Sequence, residues 1–259
     1  MDDLRFPTFS LDGKCAFVTG ASRGIGQAIS LGLARAGADL ILAARDPATL
    51  EPTAGAVRAM GREARVLTMD VADLASIRSG FAELGWTEHL RPDILINNAG
   101  VEEVCASDEV REALWDRIVD TNLKGAFFCA QEAHRLMRAK GGGAIVNVCS
   151  LTSGVGVPTA VPYGSSKTGL LGMTRALAAE WARDAVRVNA IGPGYFRTAL
   201  TEVFYRDEDW AKGMLAKIPA GRFGRLDDLI GPVVFLCSDA AAYVTGQLLY
   251  IDGGFMASI

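Results

Sequence analysis

Short, continuously apolar segments alternate along this chain with longer segments whose apolar residues recur at helical spacing. Strands that are apolar without alternation are typical of a sheet covered on both faces. Alternating strands and helices favour right-handed crossovers between parallel neighbours. We therefore predict an α/β fold, a single Rossmann-type doubly wound parallel sheet with helices on both faces. The predicted strands are Cys15–Thr19, Asp39–Ala43, Arg65–Met69, Asp93–Ile96, Ala144–Val148, Val186–Ile191 and Gln247–Ile251.

The predicted helices lie between these strands. A length of 259 residues fits one large α/β domain better than two small ones, so residues 1–259 are expected to form a single domain. Gly192–Gly224 shows no clear strand pattern and follows a strand late in the chain, where a substrate-covering lid is expected. The helical segments are Gly24–Ala36, Pro47–Met60, Asp73–Leu84, Glu109–Met137 with a break near Asn122, Tyr163–Arg183 and Asp227–Ser238.

Composition and charge exclude several classes of protein. The net charge is -4, and the charges are scattered without a basic stripe, so nucleic acid is not an expected partner. Five widely spaced cysteines and two histidines favour neither a metal site nor a disulfide framework. The cysteines are expected to be small buried apolar residues. The chain begins with an acidic segment without an apolar signal core, and no apolar run approaches the roughly 20 residues of a membrane span. We expect a soluble protein of a reducing compartment, most simply the cytoplasm.

A glycine-rich turn, Thr19–Gly26 (T-G-A-S-R-G-I-G), joins the first predicted strand to the first helix. Gly20, Gly24 and Gly26 let the backbone bend sharply and bring the helix N-terminus close to a pyrophosphate. An ordinary tight turn is the alternative, but the position after the first strand favours a dinucleotide.

Two arginines indicate which dinucleotide binds. An NAD site usually has a carboxylate after the second strand, whereas this chain has Ala44 and Arg45 there. Arg23 lies within the glycine turn. Two guanidiniums near the adenosine ribose would bind a 2′-phosphate, so we predict NADP(H) over NAD(H). Asp46, one residue later, is the competing feature, and Arg45 could instead be a solvated cation.

Two further strand ends carry polar residues. Asp70-Val71 follows the third strand, where a carboxylate would accept a hydrogen bond from the adenine amino group. Asn97-Asn98-Ala99-Gly100 follows the fourth strand, where small residues and amides would hold the strand end open beside the cofactor. Each could also be an ordinary polar strand terminus.

Tyr163 and Lys167 are separated by one helical turn and therefore share a helix face. A nearby ammonium favours the phenolate, so Lys167 is expected to lower the Tyr163 pKa and to bond the nicotinamide ribose. Tyr163 would then exchange a proton with a carbonyl or alcohol oxygen. Ser150, thirteen residues before Tyr163 at the end of the fifth strand, would hydrogen-bond that oxygen.

The chain resembles the short-chain dehydrogenase/reductase family from Gly13 to Gly254. The resemblance implies a tetrad in which Tyr163 is the acid/base, Lys167 its activator, Ser150 the donor to the reacting oxygen, and Asn122 the holder of a water that relays protons. It further implies cofactor contacts by Ser22, Ile25, Pro193, Gly194, the backbone near Phe196 and the hydroxyl of Thr198. The matching segments are Thr19–Gly26, Asp70-Val71, Asn97–Gly100, Thr121–Leu123, Asn147–Ser150, Tyr163–Lys167, Arg187–Asn189, Gly192–Gly194 and Asp252–Gly254.

Family members are commonly homotetramers, which implies pairing of Glu109–Met137 and Tyr163–Arg183 and a second contact by the C-terminal segment. Within the family the chain is most similar to gluconate 5-dehydrogenases, through Asn147–Ser153, Ile191–Tyr195 and Asp228–Leu236. It is also similar to tropinone reductases, through Ala178–Ala182 and Tyr243–Ala257. Apolar contact in the tetramer could come from Phe127, Phe128, Leu170, Leu171 and Met173, unless these belong to the core of one chain.

The substrate end of the sequence carries weaker signals. Gluconate dehydrogenases tend to have a basic residue after Asn-Asn-Ala-Gly, whereas this chain has Glu102 and Glu103. Two carboxylates would repel an anionic substrate and favour a neutral or cationic one, unless both face solvent. Arg197 and Arg206 are the alternative anion site. Candidate substrate residues are Glu102, Ser153, Tyr195 and Phe204. The aromatic residues of the lid would either cover the substrate or pack on the rest of the protein; they are Tyr195, Phe196, Phe204, Tyr205 and Trp210.

The sequence thus predicts an NADP(H)-dependent oxidoreductase that interconverts a ketone and a secondary alcohol. A 3-oxoacyl-carrier-protein reductase is the second enzyme considered, although no basic cluster for an acidic carrier is evident. A non-catalytic NADP-binding regulator is the alternative of another class, and the intact Ser150, Tyr163 and Lys167 argue against it.

Overall fold

The structure, a computed structural model, describes residues 6–85, 91–198, 205 and 207–258 of the chain. In these residues seven strands form one sheet in the order β3-β2-β1-β4-β5-β6-β7, and each neighbouring pair is parallel. This confirms the predicted doubly wound sheet. The strands are β1 Cys15–Thr19, β2 Asp39–Ala44, β3 Ala64–Thr68, β4 Ile94–Asn97, β5 Gly143–Val148, β6 Val186–Pro193 and β7 Leu248–Ile251.

Two hydrophobic cores explain why the strands are apolar throughout. Along β1, Ala16 and Val18 contribute to one core, and Cys15 and Phe17 contribute to the other. Successive side chains of a strand point to opposite faces, so covering both faces buries every position. One core contains residues of the first, second and last helices, and the other contains residues of the third, fifth and sixth.

The helices follow the predicted order, with small differences at their ends. The predicted break near Asn122 is a π-helical turn, Asp120–Lys124, between two α-helices. The lid contains an α-helix for which no separate boundary was predicted. The α-helices are α1 Gly24–Arg35, α2 Glu51–Ala59, α3 Leu74–Gly85, α4 Glu112–Val119, α5 Gly125–Lys140, α6 Val161–Trp181, α7 Glu208–Leu215 and α8 Ile230–Cys237.

The chain order reverses between β1 and β4, which lie side by side at the middle of the sheet. Ligands of open parallel sheets bind beyond the carboxyl ends of the strands at such a reversal. The glycine-rich turn follows β1, and Asn98-Ala99-Gly100 follows β4, so both segments lie at this place.

The last part of the sheet differs from the prediction. Strand β6 continues through Gly192 and Pro193, which pair with Tyr250 and Ile251 of β7. The lid segment therefore leaves the sheet only after Pro193, two residues later than expected. No helix among the described residues has the length and apolar character needed to span a bilayer.

Candidate active site

The glycine-rich turn is shaped to leave room for a ligand. Gly20 and Gly24 have positive φ angles of 65° and 58°, a region that favours glycine. A Cβ atom on Gly26 would lie 2.3 Å from the Gly20 carbonyl oxygen, so only glycine allows the first turn of α1 to lie this close to β1. The N-cap residue of α1, Arg23, makes no side-chain cap hydrogen bond, and a helix N-terminus can bind an anion through its free N–H groups. Ile25 packs partly against the core, and Ser22 is half-buried at the same turn.

Asn98 and Thr19 join the ends of β4 and β1. The Asn98 side-chain amide donates to the carbonyl oxygens of Thr19 at 2.9 Å and Gly20 at 3.0 Å. The Thr19 hydroxyl accepts from the backbone N–H groups of Asn98 at 3.0 Å and Ala99 at 3.1 Å. Asn98 thus holds the glycine turn in place. Thr19 was not singled out by sequence reasoning, although its position at the end of β1 was a usable signal.

The two arginines predicted to bind a 2′-phosphate are both exposed at this end of the sheet. Arg23 precedes α1 in extended conformation, and Arg45 directly follows β2. Among the described residues neither guanidinium makes a hydrogen bond or ion pair. Asp46, the competing carboxylate, instead accepts a hydrogen bond from the Ala48 N–H at 3.0 Å and caps a short 3-10 helix.

The other predicted cofactor residues surround the same cleft. The Asp70 carboxylate accepts a hydrogen bond from the Ala72 N–H at 2.9 Å. Val71 lies against the start of α5, so close that a Cβ atom on Gly125 would be 2.1 Å from the Val71 oxygen. Thr198 lies over the glycine turn, since a Cβ on Gly24 would be 3.7 Å from its Cβ atom.

Beyond Pro193 the chain is held close to the C-terminal segment. The Gly194 N–H donates to the Ile251 oxygen at 2.9 Å, and a Cβ on Gly194 would be 2.7 Å from the Asp252 Cα. Phe196 is buried against Gly224 and forms an isolated β-bridge with it. This anchoring fixes the backbone that the resemblance assigns to the nicotinamide.

Tyr163, Lys167 and Ser150 converge at the carboxyl end of β5. Lys167 is buried; its Nζ lies 5.6 Å from the centre of the Tyr163 ring and donates to the Val148 oxygen at 2.7 Å. An ammonium has three donors, so this bond leaves two for other acceptors. The Ser150 hydroxyl is a hydrogen-bond neighbour of the Tyr163 phenol and also accepts from the Thr152 N–H at 3.2 Å.

Asn122, buried in the π-helical turn, holds the loop that follows β4. Its Oδ1 accepts from the Val101 N–H at 2.8 Å, and its Nδ2 donates to the Val101 oxygen at 2.9 Å. A second contact joins Nδ2 to the Ser166 hydroxyl of α6 at 3.2 Å. A Cβ on Gly100 would lie 3.3 Å from Asn122 Oδ1 and 3.6 Å from Lys167 Nζ, so the glycine separates these two polar atoms.

The pKa values in the cluster reflect burial first. Burial raises the pKa of the half-buried Tyr163, as does the charge of Glu102, while Ser150 lowers it by hydrogen bonding. Burial lowers the pKa of Lys167, and the charges of Cys149 and Glu102 act in the opposite direction. In the chain alone the Tyr163 pKa is therefore raised, opposite to the direction expected from Lys167, because desolvation of the phenolate is the largest effect.

The two glutamates after Gly100 face different ways. Glu103 is exposed and pairs with Arg117 of α4. Glu102 is half-buried on the inner side, where its charge acts on Lys167, Tyr163 and Tyr195. Sequence reasoning used both charges in the argument about substrate charge but named only Glu102 as a candidate substrate residue, and it is the charge of Glu102 that acts on Tyr163 and Lys167.

The remaining candidate substrate residues have distinct surroundings. Ser153 is buried, and its hydroxyl donates to the Lys167 backbone oxygen at 2.8 Å, which joins the segment after β5 to α6. Tyr195 is half-buried, and its ring meets those of Trp210 and Phe255 with centroids 5.8 and 5.3 Å away. Phe204 and Arg206 lie outside the described residues.

The described aromatic residues of the lid pack on one another. The Tyr205 ring lies 5.6 Å from Trp210 and 4.8 Å from Phe223, both edge-on, and Arg197 lies over Tyr205 at 5.6 Å. A cavity of about 190 Å³ lies between the lid and the C-terminal segment, lined in part by Tyr195, Phe196 and Asp252. The apolar side chains of this region therefore support its packing on the body of the protein.

Comparison with known proteins identifies the family. A family model described as enoyl-(acyl carrier protein) reductase matches residues 20–256. Gluconate 5-dehydrogenase of Gluconobacter oxydans is 38% identical over 252 residues, which cover 97% of this chain and 98% of that relative.

Two solved structures agree closely with the fold. One, named as a candidate short-chain alcohol dehydrogenase from Sinorhizobium meliloti, is 57% identical, covers 98% of this chain and 100% of its own, and has a TM-score of 0.92. A gluconate 5-dehydrogenase from Burkholderia cenocepacia in complex with NADP and tartrate is 36% identical, covers 97% and 98%, and has a TM-score of 0.94. Together with the cleft just described, these matches place the chain in the short-chain dehydrogenase/reductase family, as an oxidoreductase that acts on CH–OH groups.

Proposed function

We propose that this oxidoreductase interconverts a ketone and a secondary alcohol with NADP(H), and that Tyr163 exchanges the proton. The observation that carries the proposal is the convergence of Tyr163, Lys167 and Ser150 beside the glycine-rich turn. A phenol, a hydroxyl and a cation at one strand end are the groups that a carbonyl oxygen needs when it becomes an alcohol.

Each member of the cluster has a separate task. In reduction Tyr163 donates a proton to the substrate oxygen, and in oxidation its phenolate accepts one. Ser150 donates a hydrogen bond to the same oxygen and holds it against the phenol. Lys167 keeps one bond to Val148, and its remaining donors would bind the ribose hydroxyls of the dinucleotide. The nicotinamide of that dinucleotide would supply or accept the hydride.

Asn122 has a positioning role and, as the family resemblance implies, a role in proton relay. Its side chain fixes Val101 by two hydrogen bonds, which leaves Gly100 between Asn122 Oδ1 and Lys167 Nζ. The proposed relay passes a proton from solvent to Lys167 through a water held near Asn122. A side chain at Gly100 would fill the space that such a relay uses.

NADP(H) is the proposed cofactor in preference to NAD(H). Arg23 and Arg45 lie at the ends of the glycine turn and β2, and Asp46 caps a short helix instead of facing the cleft. NADP is also bound in the Burkholderia cenocepacia relative. Two cations beside the adenosine ribose favour a 2′-phosphate over a free hydroxyl.

The substrate is proposed to be a small ketone of the polyol or cyclic type. The names of the gluconate 5-dehydrogenase relatives support a polyhydroxylated carbon chain. A relative from Staphylococcus aureus named 3-oxoacyl-(acyl-carrier-protein) reductase, 36% identical over 242 residues, supports the second candidate, reduction of an acyl-thioester ketone. Reduction of acetoacetyl thioesters at least about tenfold faster than of small ketones would favour this second candidate.

A homotetramer in the cytoplasm is the proposed state of the protein. Leu170 and Leu171 are buried within one chain, so they do not supply the contact surface that the sequence suggested. Phe127, Phe128 and Met173 are only partly buried on the same side, and Trp115 of α4 is exposed. Light scattering after size-exclusion chromatography would distinguish a tetramer from a monomer, and cell fractionation would test the location.

The test of the proposed function is NADPH consumption with a panel of small ketones. Tyr163→Phe is expected to lower kcat by about 10²–10⁴-fold, because the general acid is lost while the ring remains. Tyr243→Phe is the matched control, since Tyr243 is fully exposed and distant in sequence from the cluster. Equal activity of the Tyr163→Phe variant and the unaltered protein would overturn the role of Tyr163.

A further inference from the structure

Glu102 is a charged side chain in the cleft without a settled structural role. Among the described residues it makes no hydrogen bond or ion pair, whereas its neighbour Glu103 pairs with Arg117 at the surface. Glu102 is nevertheless half-buried, which costs a carboxylate hydration. A half-buried carboxylate that makes no hydrogen bond or ion pair with the described residues is available to a ligand.

The backbone next to Glu102 is rigidly held. Both polar groups of Val101 are bonded to Asn122, at 2.8 and 2.9 Å, and Gly100 lies against Lys167 Nζ. The position of Glu102 is therefore set by Asn122 on the preceding residue and by the contact of Gly100 with Lys167. We call Tyr163, Lys167 and Ser150 the chemical cluster. Its charge acts on groups of two other segments, Tyr163 and Lys167 of α6 and Tyr195 after β6. These segments surround the space in which the substrate carbonyl must lie.

We propose that Glu102 is a specificity-determining residue that selects uncharged or amine-bearing ketones against ketones that carry a carboxylate. The proposal rests on the proposed function, since it concerns the substrate of the same cluster. A carboxylate in the cleft repels a second carboxylate and accepts hydrogen bonds from an ammonium or hydroxyl group. Gluconate-type keto acids would thus be poor substrates here, although the relatives are named for gluconate.

Lys167 and the described lid arginines are poorly placed to bind a substrate carboxylate and so to offset the charge of Glu102. Lys167 is the cation whose charge acts on Glu102, but it is committed to Val148 and, by the proposed function, to the ribose. Of the described lid arginines, Arg197 is exposed and lies over the Tyr205 ring, and Arg222 pairs with Asp228. These three cations are therefore not arranged to receive a substrate carboxylate near Glu102.

Exposed apolar side chains on the two loops that follow β4 and β5 fit the same class of substrate. Val104, Val155 and Val157 are exposed, and each lies within seven residues of Glu102 or Ser150 in the chain. Their two loops are held together by the Cys105 N–H, which donates to the Thr159 oxygen at 2.9 Å. An apolar rim suits the hydrocarbon part of a cyclic or aryl ketone better than a charged polyol chain.

The experiment compares kcat/KM for three ketones in the unaltered protein, Glu102→Gln and Glu103→Gln. The ketones are 5-ketogluconate, its methyl ester, which removes the charge and little else, and 1-methyl-4-piperidone, which carries a protonated amine. The unaltered protein is expected to prefer the ester over the acid by about tenfold or more. Glu102→Gln should reduce that preference at least about fivefold and lower the activity on the piperidone, while Glu103→Gln should leave both ratios within about twofold.

Two results would overturn the inference. One is a preference for 5-ketogluconate in the unaltered protein, and the other is an unchanged ester-to-acid ratio in Glu102→Gln. If none of the ketones is reduced by the unaltered protein, the proposed function fails. The role of Glu102 is then tested separately by calorimetric titration with tartrate in the presence of NADP+. Tartrate should then bind Glu102→Gln at least about fivefold more tightly than the unaltered protein. Equal affinities would refute the role of Glu102.

Discussion

Asn122 binds both backbone polar groups of Val101, accepting from its N–H at 2.8 Å and donating to its oxygen at 2.9 Å. The Asn122 side chain thus bonds the loop after β4 through one donor and one acceptor, as a neighbouring strand would. It comes from the π-helical turn between α4 and α5, which places Asn122 in the interior instead of on a regular helix face. The loop held in this way carries Gly100 and Glu102 to the chemical cluster.

Asn122→Ala should therefore weaken both stability and catalysis. Two half-buried backbone groups of Val101 lose their partners, so the free energy of unfolding should fall by about 1–3 kcal/mol. Loss of the fixed loop should also lower kcat by about tenfold or more. Denaturant unfolding and initial-rate kinetics measure the two effects. Ser166→Ala removes the third bond of Asn122 and the bond from the Ser166 hydroxyl to the Tyr163 backbone oxygen, but keeps the Val101 contacts. An equally large loss of stability in that variant would contradict the assigned role of the Val101 contacts.

Gly26 is expected to tolerate no larger residue. A Cβ there would lie 2.3 Å from the Gly20 oxygen and 2.4 Å from Asn98 Nδ2, so Gly26→Ala should push α1 away from β1. The dissociation constant for NADPH should rise by about tenfold or more as the pyrophosphate site is lost. Fluorescence titration with NADPH measures this change.

A second helical glycine provides the control for that variant. Gly55 in α2 has open space around its Cβ position, so Gly55→Ala should stabilise the protein by about 0.5–1 kcal/mol. Its affinity for NADPH should stay the same. Weak NADPH binding by both variants would show that the helix, and not the close approach at Gly26, determines affinity.

The sequence predicted the sheet well because the strands are apolar on both faces, a pattern that a helix of the same length rarely has. It also predicted the break at Asn122, since the helical periodicity fails there. It named Glu102 as a candidate substrate residue but could not predict that Glu103 pairs with Arg117, because residues of an irregular loop have no fixed periodicity. The role of Val101 was likewise hidden, since its contribution is made by backbone groups that every residue carries.

The cofactor preference can be tested by a change of charge at one position. Arg45→Asp removes a cation and adds a carboxylate where the adenosine ribose is expected. The ratio of kcat/KM for NADPH to that for NADH should fall by about 10²-fold, through weaker binding of the 2′-phosphate. Arg35→Ala is the control, because Arg35 is an exposed arginine at the other end of α1. An unchanged ratio in Arg45→Asp would remove Arg45 from the cofactor site.

Asp228 should stabilise the end of the lid in a pH-dependent manner. The Arg222 guanidinium and the Arg225 N–H hold the pKa of Asp228 at about 2, below its ordinary value. Because the folded-state pKa is the lower one, this stabilisation is complete above about pH 4 and is lost as the pH falls toward 2.

Asp228→Asn should accordingly lower Tm by about 1–3 °C at pH 6, and by less at pH 3. Asp227→Asn changes an exposed neighbour in the same short helix and should have a smaller effect at both values. Scanning calorimetry at the two pH values measures the difference. A Tm difference for Asp228→Asn that is equal at pH 6 and pH 3 would show that ionisation of this carboxyl does not matter.

The charge of Glu102 should also appear in the pH dependence of reduction. Burial raises the pKa of Tyr163, and Glu102 raises it further, while the same charge raises the pKa of Lys167 against the effect of burial. Ser150 and Cys149 are the other groups that act on the phenol, and neither changes in Glu102→Gln. Reduction needs a protonated phenol and a charged Lys167, so both effects extend activity toward high pH.

Removing that charge should move the alkaline limit of activity downward. In Glu102→Gln the pKa values of Tyr163 and Lys167 both fall, so kcat for reduction of a neutral ketone should begin to decline at a lower pH than in the unaltered protein. The profile is measured by NADPH consumption with the methyl ester, which carries no charge, across the alkaline range. Glu103→Gln, whose carboxylate pairs with Arg117 outside the cleft, should retain the original profile. A shift in that variant, or an unmoved limit in Glu102→Gln, would separate Glu102 from the proton-transfer groups.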